Sequence, residues 1–351
     1  MSSYQLDWPV WPTPALSDLV GPPNVVLKRL DLRWLHRFQM TVSLLGWLSS
    51  QLGGPNGGPS ALSLLVERAP LLGLRGWGAT SAGGSCKILA SADRSIAVNL
   101  PRVEDQASVP AWLNSHVMGD NWDAIAAEVA LQGSKELVHR GELLGIPVTS
   151  VGEAEPIEDY SDRSGGNTRF VGLPKVVDLS SMWAGPLCGW YLARSGADVT
   201  KIESSTRPDG TRKGSIDFYR RLNSGKNIVT LNFENSENVS QLRSLIRASD
   251  IIIEGSRPRA LMHLGIDANE EVERGAIWIS ITGHGRAEAP NRVGFGDDAA
   301  ASANLLAKVD DSLWFVGDAI ADPITGTLSL IHISEPTRPE RISYSVFCLK
   351  K

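Results

Sequence analysis

A turn that leads into a helix is the part of the sequence whose residue types most directly suggest ligand chemistry. It reads SSMWAGP and places Gly185 and Pro186 at the start of the helix, after an apolar run that ends near Ser180. Proline is preorganised for the first helical position, and a preceding glycine lets a ligand approach the backbone N–H groups. An ordinary capped helix would carry the same residues. The motif alone therefore predicts an anion-binding turn without identifying the ligand.

Other ligand-binding motifs are absent from the sequence. A dinucleotide site would carry GxGxxG at this turn, which has one glycine, so the turn counts against NAD or FAD. The segment NSGKN at 223–227 lacks the upstream glycine and the Ser/Thr of a P-loop. No GxSxG, HExxH or CxxC occurs, which removes the serine-hydrolase, zinc-protease and thioredoxin-like readings. We expect no metal site.

The elements that must hold this turn alternate between strands and helices. Apolar runs predict strands at 176–180, 199–203, 227–233, 250–255 and 276–283, with helices that begin at Ala184 and at about 236. Strands that are apolar on both faces and alternate with helices are typical of a parallel sheet covered on both sides. The predicted fold class is α/β, with an open Rossmann-like parallel sheet in the larger domain.

The chain divides at a polar stretch that lacks apolar periodicity and carries proline and paired glycines. We predict a small α+β domain at 1–151, a linker at 152–170, the large α/β domain at 171–327 and a tail at 328–351. The small domain shows a strand at 95–100 and helical patterns at 109–114 and 122–143. The tail resembles a translated sequencing-library adapter and has no clear period, so we exclude it from the fold.

Composition and charge limit the classes of partner. The 351 residues are 42% hydrophobic and 21% charged, which is the balance of a globular protein. The formal charge of -5, without a basic run, argues against nucleic acid. No apolar stretch approaches the ~20 residues of a membrane helix, and the N-terminus lacks a signal-peptide pattern. Three widely spaced cysteines fit neither a disulfide framework nor a metal knuckle. We expect a cytoplasmic protein that binds neither nucleic acid nor membrane.

Ordered sequence blocks across the larger domain give a family resemblance. The run VVDLSSMWAGPLCGWYLARSGADVTKIES at 176–204 resembles the opening of the class III CoA-transferase family (CaiB/BaiF), which includes the α-methylacyl-CoA racemases. The blocks DGTR, LNSGKNIVTLNF, ASDIIIEGSRP, WISITGHG and DPITG follow in the family's order. In the N-terminal half, the segment from Gly83 looks like the glycine loop and strand of the family's smaller domain, which in the family follows the large domain.

The resemblance implies an enzyme that transfers CoA between an acyl-CoA thioester and a carboxylic acid. The family's nucleophile is an aspartate in an Asp-x-x-x-Gly loop, and Asp322 occupies that place. A carboxylate can attack a thioester, hold the acyl group as a mixed anhydride and then capture CoA as an aspartyl thioester. The resemblance further implies a homodimer that needs no cofactor, because CoA and acyl-CoA are its substrates.

Further site residues follow from the same resemblance. Asp297, in GFGDDAA, stands where many transferases carry tyrosine and racemases carry a histidine base, so it is the second candidate catalytic residue. Gly83 and Gly84 form a predicted lid over Asp322. The predicted CoA-binding residues are Trp183, Ala184, Gly185, Pro186, Arg212, Lys226 and Arg257. The three basic residues among them are candidates for the CoA phosphates, with a solvated surface charge as the alternative for each. Trp183 could stack on adenine or pack in the core.

Two other functions stay open at the level of sequence. An acyl-CoA racemase or isomerase could use the same scaffold, although the missing histidine at 297 counts against it. His284, in TGHG, is interpreted as a surface loop residue rather than a base. A non-catalytic acyl-CoA-binding subunit would account for the lost family positions. Because the family continues well beyond the DPITG block, we expect a truncated family domain.

Overall fold

The computed structural model describes residues 18–21, 33–55, 57–154, 172–285, 289–330 and 341–343. Most of the predicted linker at 152–170 and most of the predicted tail at 328–351 lie outside these ranges. The domain boundaries that depend on them therefore stay predictions.

The N-terminal part of the chain combines short helices with an antiparallel sheet. Its helices are α1 (Arg33–Gln51), α2 (Ala61–Val66), α3 (Ala69–Leu72), α4 (Val103–Ala107), α5 (Val109–Leu113), α6 (Trp122–Ala130) and α7 (Ser134–Leu144). Its strands β1 (Cys86–Ala90), β2 (Ser95–Asn99) and β3 (Val148–Ser150) pair antiparallel in that order. The single helical pattern expected at 122–143 is two helices, because Gly133 is extended and begins α7.

This N-terminal part has a core of its own. Apolar side chains of β2, β3 and α5 to α7 pack together, and they include Val98, Trp112 and Ile125, all fully buried. The Trp112 indole N–H donates to the carbonyl of Leu137 at 2.8 Å, so its polar atom is satisfied inside the core. The small sheet and its helices therefore have an apolar core that does not depend on the rest of the chain.

A parallel sheet forms the centre of the larger part. Its strands are β4 (Lys175–Asp178), β5 (Asp198–Ser204), β6 (Asn227–Leu231), β7 (Ile251–Glu254) and β8 (Ile277–Thr282). The helices between them are α8 (Ala184–Arg194), α9 (Thr211–Gly214), α10 (Ile216–Asn223), α11 (Ser236–Arg247), α12 (Pro258–His263) and α13 (Ala268–Glu273). After β8 come α14 (Gly296–Ser302), the hairpin strands β9 (Leu306–Val309) and β10 (Ser312–Phe315), α15 (Ala321–Leu328) and the short strand β11 (Arg341–Ser343).

The strand order confirms the predicted open Rossmann-like sheet. It is β11-β8-β7-β4-β5-β6, and every neighbouring pair is parallel. The chain builds outward from β4 to β6 and then returns to place β7 on the other side of β4. In such sheets ligands bind where the order reverses, in the crevice beyond the carboxyl ends of the strands. The loops that follow Asp178 and Glu254 therefore border the expected ligand crevice.

Helices cover both faces of this sheet, as the apolar strands predict. On one face Val176, Ile251 and Ile253 pack with apolar residues of α1 and α8. On the other face Val177 and Ile252 pack with apolar residues of α11 and α12. Alternate residues of one strand thus enter two different cores, which is why the strands read as continuous apolar runs.

The N-terminal part packs directly on α14 and on the β9–β10 hairpin. The N–H of Phe315 donates to the carbonyl of Gly78 at 2.9 Å, and the N–H of Gly152 donates to that of Ala301 at 3.0 Å. Cys86 and Ala97 of the small sheet share a buried cluster with Phe315 and Ala301. The small sheet therefore lies against the helix that carries Asp297.

Short parts of the segment predicted to be a tail take part in regular structure. Leu328 is the last residue of α15, and Arg341–Ser343 pair with β8.

Among the described residues, no helix combines the length and the apolar character needed to cross a bilayer.

Candidate functional site

Asp322, the predicted nucleophile, lies in the first turn of α15 and is partly exposed. The segment expected to be an Asp-x-x-x-Gly loop is thus the beginning of a helix. Ala319, just before it, has a left-handed backbone with φ of 45°, and its carbonyl accepts the N–H of Asp322 at 2.9 Å. Unpaired N–H groups and the helix dipole stabilise negative charge in the first turn. The site therefore presents a carboxylate at a helix N-terminus.

Gly326, the glycine of the same motif, is required by the packing of α15 on α8. A Cβ at this position would lie 2.3 Å from the carbonyl oxygen of Ala184. Because the obstacle is backbone, no change of side-chain rotamer would relieve it. Ala184 is itself buried in this contact. The motif's glycine lets the two helices touch, and that contact fixes where Asp322 lies.

The Asp322 carboxylate faces the beginning of α14. A Cβ at Gly296 would lie 2.6 Å from Asp322 Oδ2 and 2.6 Å from the carbonyl oxygen of Ala319. The next residue, Asp297, is buried, and its Oδ1 accepts the N–H of Ala319 at 2.9 Å. The structure therefore brings the two predicted catalytic carboxylates together on either side of Ala319.

Asp297 has a strongly perturbed acidity. Burial, followed by the negative charge of Asp318, raises the pKa of Asp297 to about 7, and Asp322 adds to this effect. The positive charge of Arg68 and the hydrogen bond from Ala319 act in the opposite direction. A carboxyl group that titrates near neutrality is suited to general acid–base work, although buried structural carboxyls show the same shift.

Asp298, the neighbour of Asp297, has a structural environment. Its Oδ1 accepts the side-chain N–H of Asn99 at 2.8 Å and the backbone N–H of Phe295 at 3.1 Å. Burial nevertheless raises the pKa of Asp298 to about 7. Because Asn99 closes β2, this contact ties the small sheet to the beginning of α14.

Arg68 completes the group of charges, and the sequence did not single it out. Its Nε donates to Asp318 Oδ2 at 2.7 Å, and its Nη2 bonds the other oxygen of the same carboxylate. The Arg68 side chain is 19% exposed and that of Asp318 is fully buried. The partners are separated by 250 positions in the chain, so no sequence pattern joins them.

The Gly-Pro turn is tightly packed, and its predicted contact with CoA stays a prediction. A Cβ at Gly185 would lie 2.1 Å from the Cβ of Ser180, so the glycine makes room for this side chain. Gly185 and Pro186 are buried. Met182, two residues before the helix, has a positive φ of 72°, and its N–H donates to Asp209 at 3.1 Å. The turn is therefore held by side chains from inside the protein.

Lys226 is part of a buried ion pair, and its predicted contact with a CoA phosphate stays a prediction. Its ammonium lies 2.9 Å from Asp178 Oδ2 and also donates to the carbonyl of Pro186 at 2.7 Å, with both charged side chains 0% exposed. A second buried pair, Lys201 and Asp209 at 3.2 Å, lies beside it. Burial opposes the ionisation of Asp178, but the charges of Lys226 and Lys201 and the hydrogen bonds from Lys226 and Ser180 outweigh it and lower the pKa of that carboxyl.

Trp183 packs in the core rather than facing a ligand. It is 1% exposed, and its ring makes an edge contact with that of Phe218 at a centroid distance of 5.0 Å. The guanidinium carbon of Arg68 lies 5.1 Å from the Trp183 ring, within the range of a cation–π contact. Stacking on adenine, the alternative considered for this residue, would require the ring to leave these neighbours.

The remaining predicted phosphate ligands differ from each other. Arg212 makes two hydrogen bonds of 2.9 Å to the Glu203 carboxylate and lies over the Tyr219 ring, with its side chain 36% exposed. Arg257 follows β7 and is partly exposed at the ligand crevice. Burial and then the charges of nearby arginines lower the pKa of Arg257. These neighbours are Arg259, Arg102 and Arg207. Of these neighbours, Arg102 is already paired with the Asp105 carboxylate.

The predicted glycine loop, Gly83 and Gly84, ends near the acidic group, by which we mean Asp297, Asp318 and Asp322. Gly83 and Gly84 are exposed, Gly84 has a positive φ of 79°, and a Cβ at either position would meet no atom within 4 Å. Cys86, at the start of the following strand, is buried, and burial and the charges of Asp298 and Asp297 raise the pKa of its thiol. The predicted lid therefore has space around it and leads into a strand that lies against α14.

His284 is buried, which corrects its interpretation as a surface loop residue. Burial and the charge of Arg292 lower the pKa of His284 to about 3, so the imidazole is neutral at physiological pH. Within the part of the chain that the structure describes, its Nε2 has no hydrogen-bond partner. In the same part, no three His, Cys, Asp or Glu side chains are arranged to hold a metal ion.

Comparison with known proteins identifies relatives of the larger part of the chain. Residues 174–334 match the family model described as CoA-transferase family III. The chain is 30% identical over 179 residues to an acyl-CoA transferase of Fusarium pseudograminearum, covering 46% of this chain and 38% of that protein. It is 29% identical over 192 residues to the formyl-CoA:oxalate CoA-transferase of Escherichia coli O6:H1, covering 49% of this chain and 46% of that protein.

A solved structure, that of a CAIB/BAIF family protein from Brucella suis, is also similar. It has 26% sequence identity and a TM-score of 0.42, and the match covers 50% of this chain and 53% of that one. The chain spans less than half the length of each of the two curated relatives it matches.

Proposed function

We propose, from the match of residues 174–334 to the model of CoA-transferase family III, that this protein transfers CoA from an acyl-CoA thioester to a carboxylic acid. The observation that carries the proposal is the placement of Asp322. It is a partly exposed carboxylate at the beginning of a helix, and its neighbours Asp297 and Asp318 are buried. Of these three carboxylates, only Asp322 combines exposure to a substrate with a fixed backbone.

The first half of the proposed reaction moves the acyl group to Asp322. A carboxylate oxygen of Asp322 attacks the thioester carbonyl, the C–S bond breaks, and CoA leaves as a thiolate. The acyl group is then held as a mixed anhydride. The thiolate attacks the aspartyl carbonyl of this anhydride, which releases the donor carboxylate and leaves CoA on Asp322 as a thioester. The energy of the thioester bond is thereby kept.

The second half repeats these steps in reverse with a new acid. The acceptor carboxylate attacks the aspartyl thioester and forms a second anhydride while the thiolate leaves. The thiolate then attacks the acyl carbonyl, which gives the new acyl-CoA and frees Asp322. Each step exchanges one anion for another, so atoms, charge and redox state balance without a proton, a nucleotide or a cofactor.

The other residues of the site support this chemistry by position. Asp297 fixes the N–H of Ala319 and so the turn that carries Asp322. Gly83 and Gly84 lie on the part of the chain that leads to the acidic group, where an open loop can cover an acyl intermediate and exclude water. Arg257, which follows β7 and is partly exposed, is the basic residue that we propose for a phosphate of CoA. The homodimer stays a prediction.

The second candidate function is the acyl-CoA racemase or isomerase. It is favoured by Asp297, whose pKa of about 7 beside Asp322 would suit a pair of carboxyl groups that exchange a proton on a substrate carbon. The non-catalytic acyl-CoA-binding subunit is the third. The three functions differ in one product: only the transferase forms a covalent adduct on Asp322.

The deciding experiment traps that adduct. The protein is incubated with an acyl-CoA and hydroxylamine, and its peptides are mapped by mass spectrometry. We expect a hydroxamate on Asp322 that is absent from Asp322→Asn. Asp311→Asn, on the exposed hairpin turn, is the matched control and should behave like the wild type. Acyl exchange by Asp322→Asn above about a tenth of the wild-type rate would remove Asp322 from the mechanism. Exchange of the substrate α-proton without an adduct would favour the racemase.

A further inference from the structure

We propose that Arg68, which the N-terminal part of the chain supplies, is a positioning residue for the Asp322 nucleophile. This inference rests on the proposed function and deepens it. Arg68 precedes α3, far from the family-matched segment at 174–334, yet its guanidinium reaches the turn that carries the nucleophile.

The first observation is the two-pronged contact with Asp318. Both Nε and Nη2 of Arg68 donate to this carboxylate, one to each oxygen. Such paired, charge-assisted bonds are stronger and more directional than single neutral ones. Since the Asp318 side chain is fully buried, the pair also satisfies a charge that would otherwise be costly to bury.

The second observation is where Asp318 lies. It is four residues before Asp322, on the same turn, and the next residue is the left-handed Ala319. Arg68 holds one side of this turn through Asp318, and Asp297 holds the other through the Ala319 N–H. A turn with an unfavourable backbone conformation persists only where its surroundings determine it. Arg68, through Asp318, is one of the side chains that do so here.

The third observation is the Trp183 ring, which fixes the guanidinium from another direction. The guanidinium carbon lies 5.1 Å from the ring centroid, and the ring is locked by its edge contact with Phe218. Trp183 is the residue that immediately precedes α8. Arg68 therefore connects the turn before α8 with the turn before α15, which are the two segments predicted to hold CoA and the nucleophile.

The fourth observation is charge. Three carboxylates, those of Asp297, Asp318 and Asp322, act on the Arg68 guanidinium. Without this cation they would repel one another more strongly, and Arg68 lowers the pKa of Asp297. Only an ionised Asp322 can attack a thioester. Arg68 thus has two effects that can be separated by experiment: it orients the turn, and its positive charge compensates the negative charge around Asp322.

The test measures the rate at which an acyl-CoA modifies Asp322 in a single turnover, as a function of pH, in the full chain. In Arg68→Met we expect a rate at least about tenfold lower and an acid limb moved to higher pH, because both effects are lost. In Arg68→Lys the charge remains but the planar fork is lost. We expect a lower rate with the acid limb of the wild type.

Arg292→Met is the matched control for loss of an arginine that joins the two parts of the chain. Its Nη2 bonds the Val148 carbonyl at 2.9 Å and pairs with Glu153. Arg292→Met should lower the free energy of unfolding without moving the pH profile of the Asp322 modification rate.

If the wild type forms the adduct, an unchanged modification rate and an unchanged pH profile in Arg68→Met would overturn the role of Arg68. If Arg68→Met does not fold, a wild-type rate in Arg68→Lys overturns it instead. No adduct in the wild type would contradict the proposed function itself.

Discussion

The Asp297 carboxylate and the backbone N–H of Ala319 are joined by a hydrogen bond of 2.9 Å. Ala319 has a φ of 45°, a left-handed conformation that is uncommon for a residue with a Cβ. The bond therefore holds an unfavourable turn directly before the helix that carries Asp322. Asp297 has a structural task whether or not it also transfers protons.

The first prediction concerns how stability depends on pH. The pKa of Asp297 is raised from 3.8 to about 7, so between these values the native state holds a proton that the unfolded chain has released. Stability therefore falls as pH rises through this window, by up to about 1.4 kcal/mol per pH unit for this group. Asp297→Asn keeps an acceptor for Ala319 and does not titrate. We measure the free energy of unfolding of both proteins in urea. The value for Asp297→Asn minus that for the wild type should increase from about pH 4 to about pH 7.

Asp297→Ala is the comparison for the hydrogen bond itself. In this variant the N–H of Ala319 has no acceptor. At low pH, where the wild-type carboxyl is neutral, its free energy of unfolding should be about 1–3 kcal/mol lower than that of Asp297→Asn. Stability curves for Asp297→Asn and the wild type that run parallel over the whole pH range would show that Asp297 titrates alike in both states.

The parallel sheet could be predicted because its signal is local. The run at 251–254 is buried on both faces, and its apolar residues reveal this without knowledge of their partners. The split of the pattern at 122–143 was missed because the residues on either side of Gly133 continue the helical periodicity. The extended backbone of that glycine decides the break.

The site could be predicted only where one segment carries it. The DPITG block, together with the other ordered blocks of the family resemblance, is enough to predict Asp322 as the nucleophile, whereas the ion pair of Lys226 depends on Asp178, 48 residues away. A lysine between Gly and Asn has the composition of an exposed loop, and nothing near it reveals a buried carboxylate. The ion pair of Arg68 and Asp318 could not be predicted for the same reason, since its partners are 250 residues apart in the sequence. Contacts of this kind are set by how the elements pack, which single-sequence patterns do not encode.

The second prediction tests the ion-pair role of Lys226. Lys226→Met leaves the fully buried Asp178 with one of its two neighbouring cations. Removing one partner of a buried ion pair typically costs about 3–5 kcal/mol. We expect a loss of this order in the free energy of unfolding, and the double variant with Asp178→Asn should recover part of it. Denaturant unfolding of the three variants measures both.

Calorimetric titration with CoA separates this role from phosphate binding. Folded Lys226→Met should bind CoA like the wild type, whereas Arg257→Gln should bind more weakly, since Arg257 is partly exposed at the crevice. A Lys226→Met protein of normal stability that has lost affinity for CoA would restore the original assignment of Lys226 to a phosphate.

The third prediction concerns Gly326 and the place of the nucleophile. In Gly326→Ala the new Cβ would lie 2.3 Å from the Ala184 carbonyl oxygen, so α15 must move away from α8. We expect a loss of about 1–3 kcal/mol in the free energy of unfolding, as is usual for overpacking. The rate of Asp322 modification should also fall, because the carboxylate moves with its helix. Gly214→Ala is the matched control, since a Cβ there would meet no atom within 4 Å and both quantities should stay near wild type. A Gly326→Ala protein with unchanged stability and rate would mean that the contact between α15 and α8 does not set the position of Asp322.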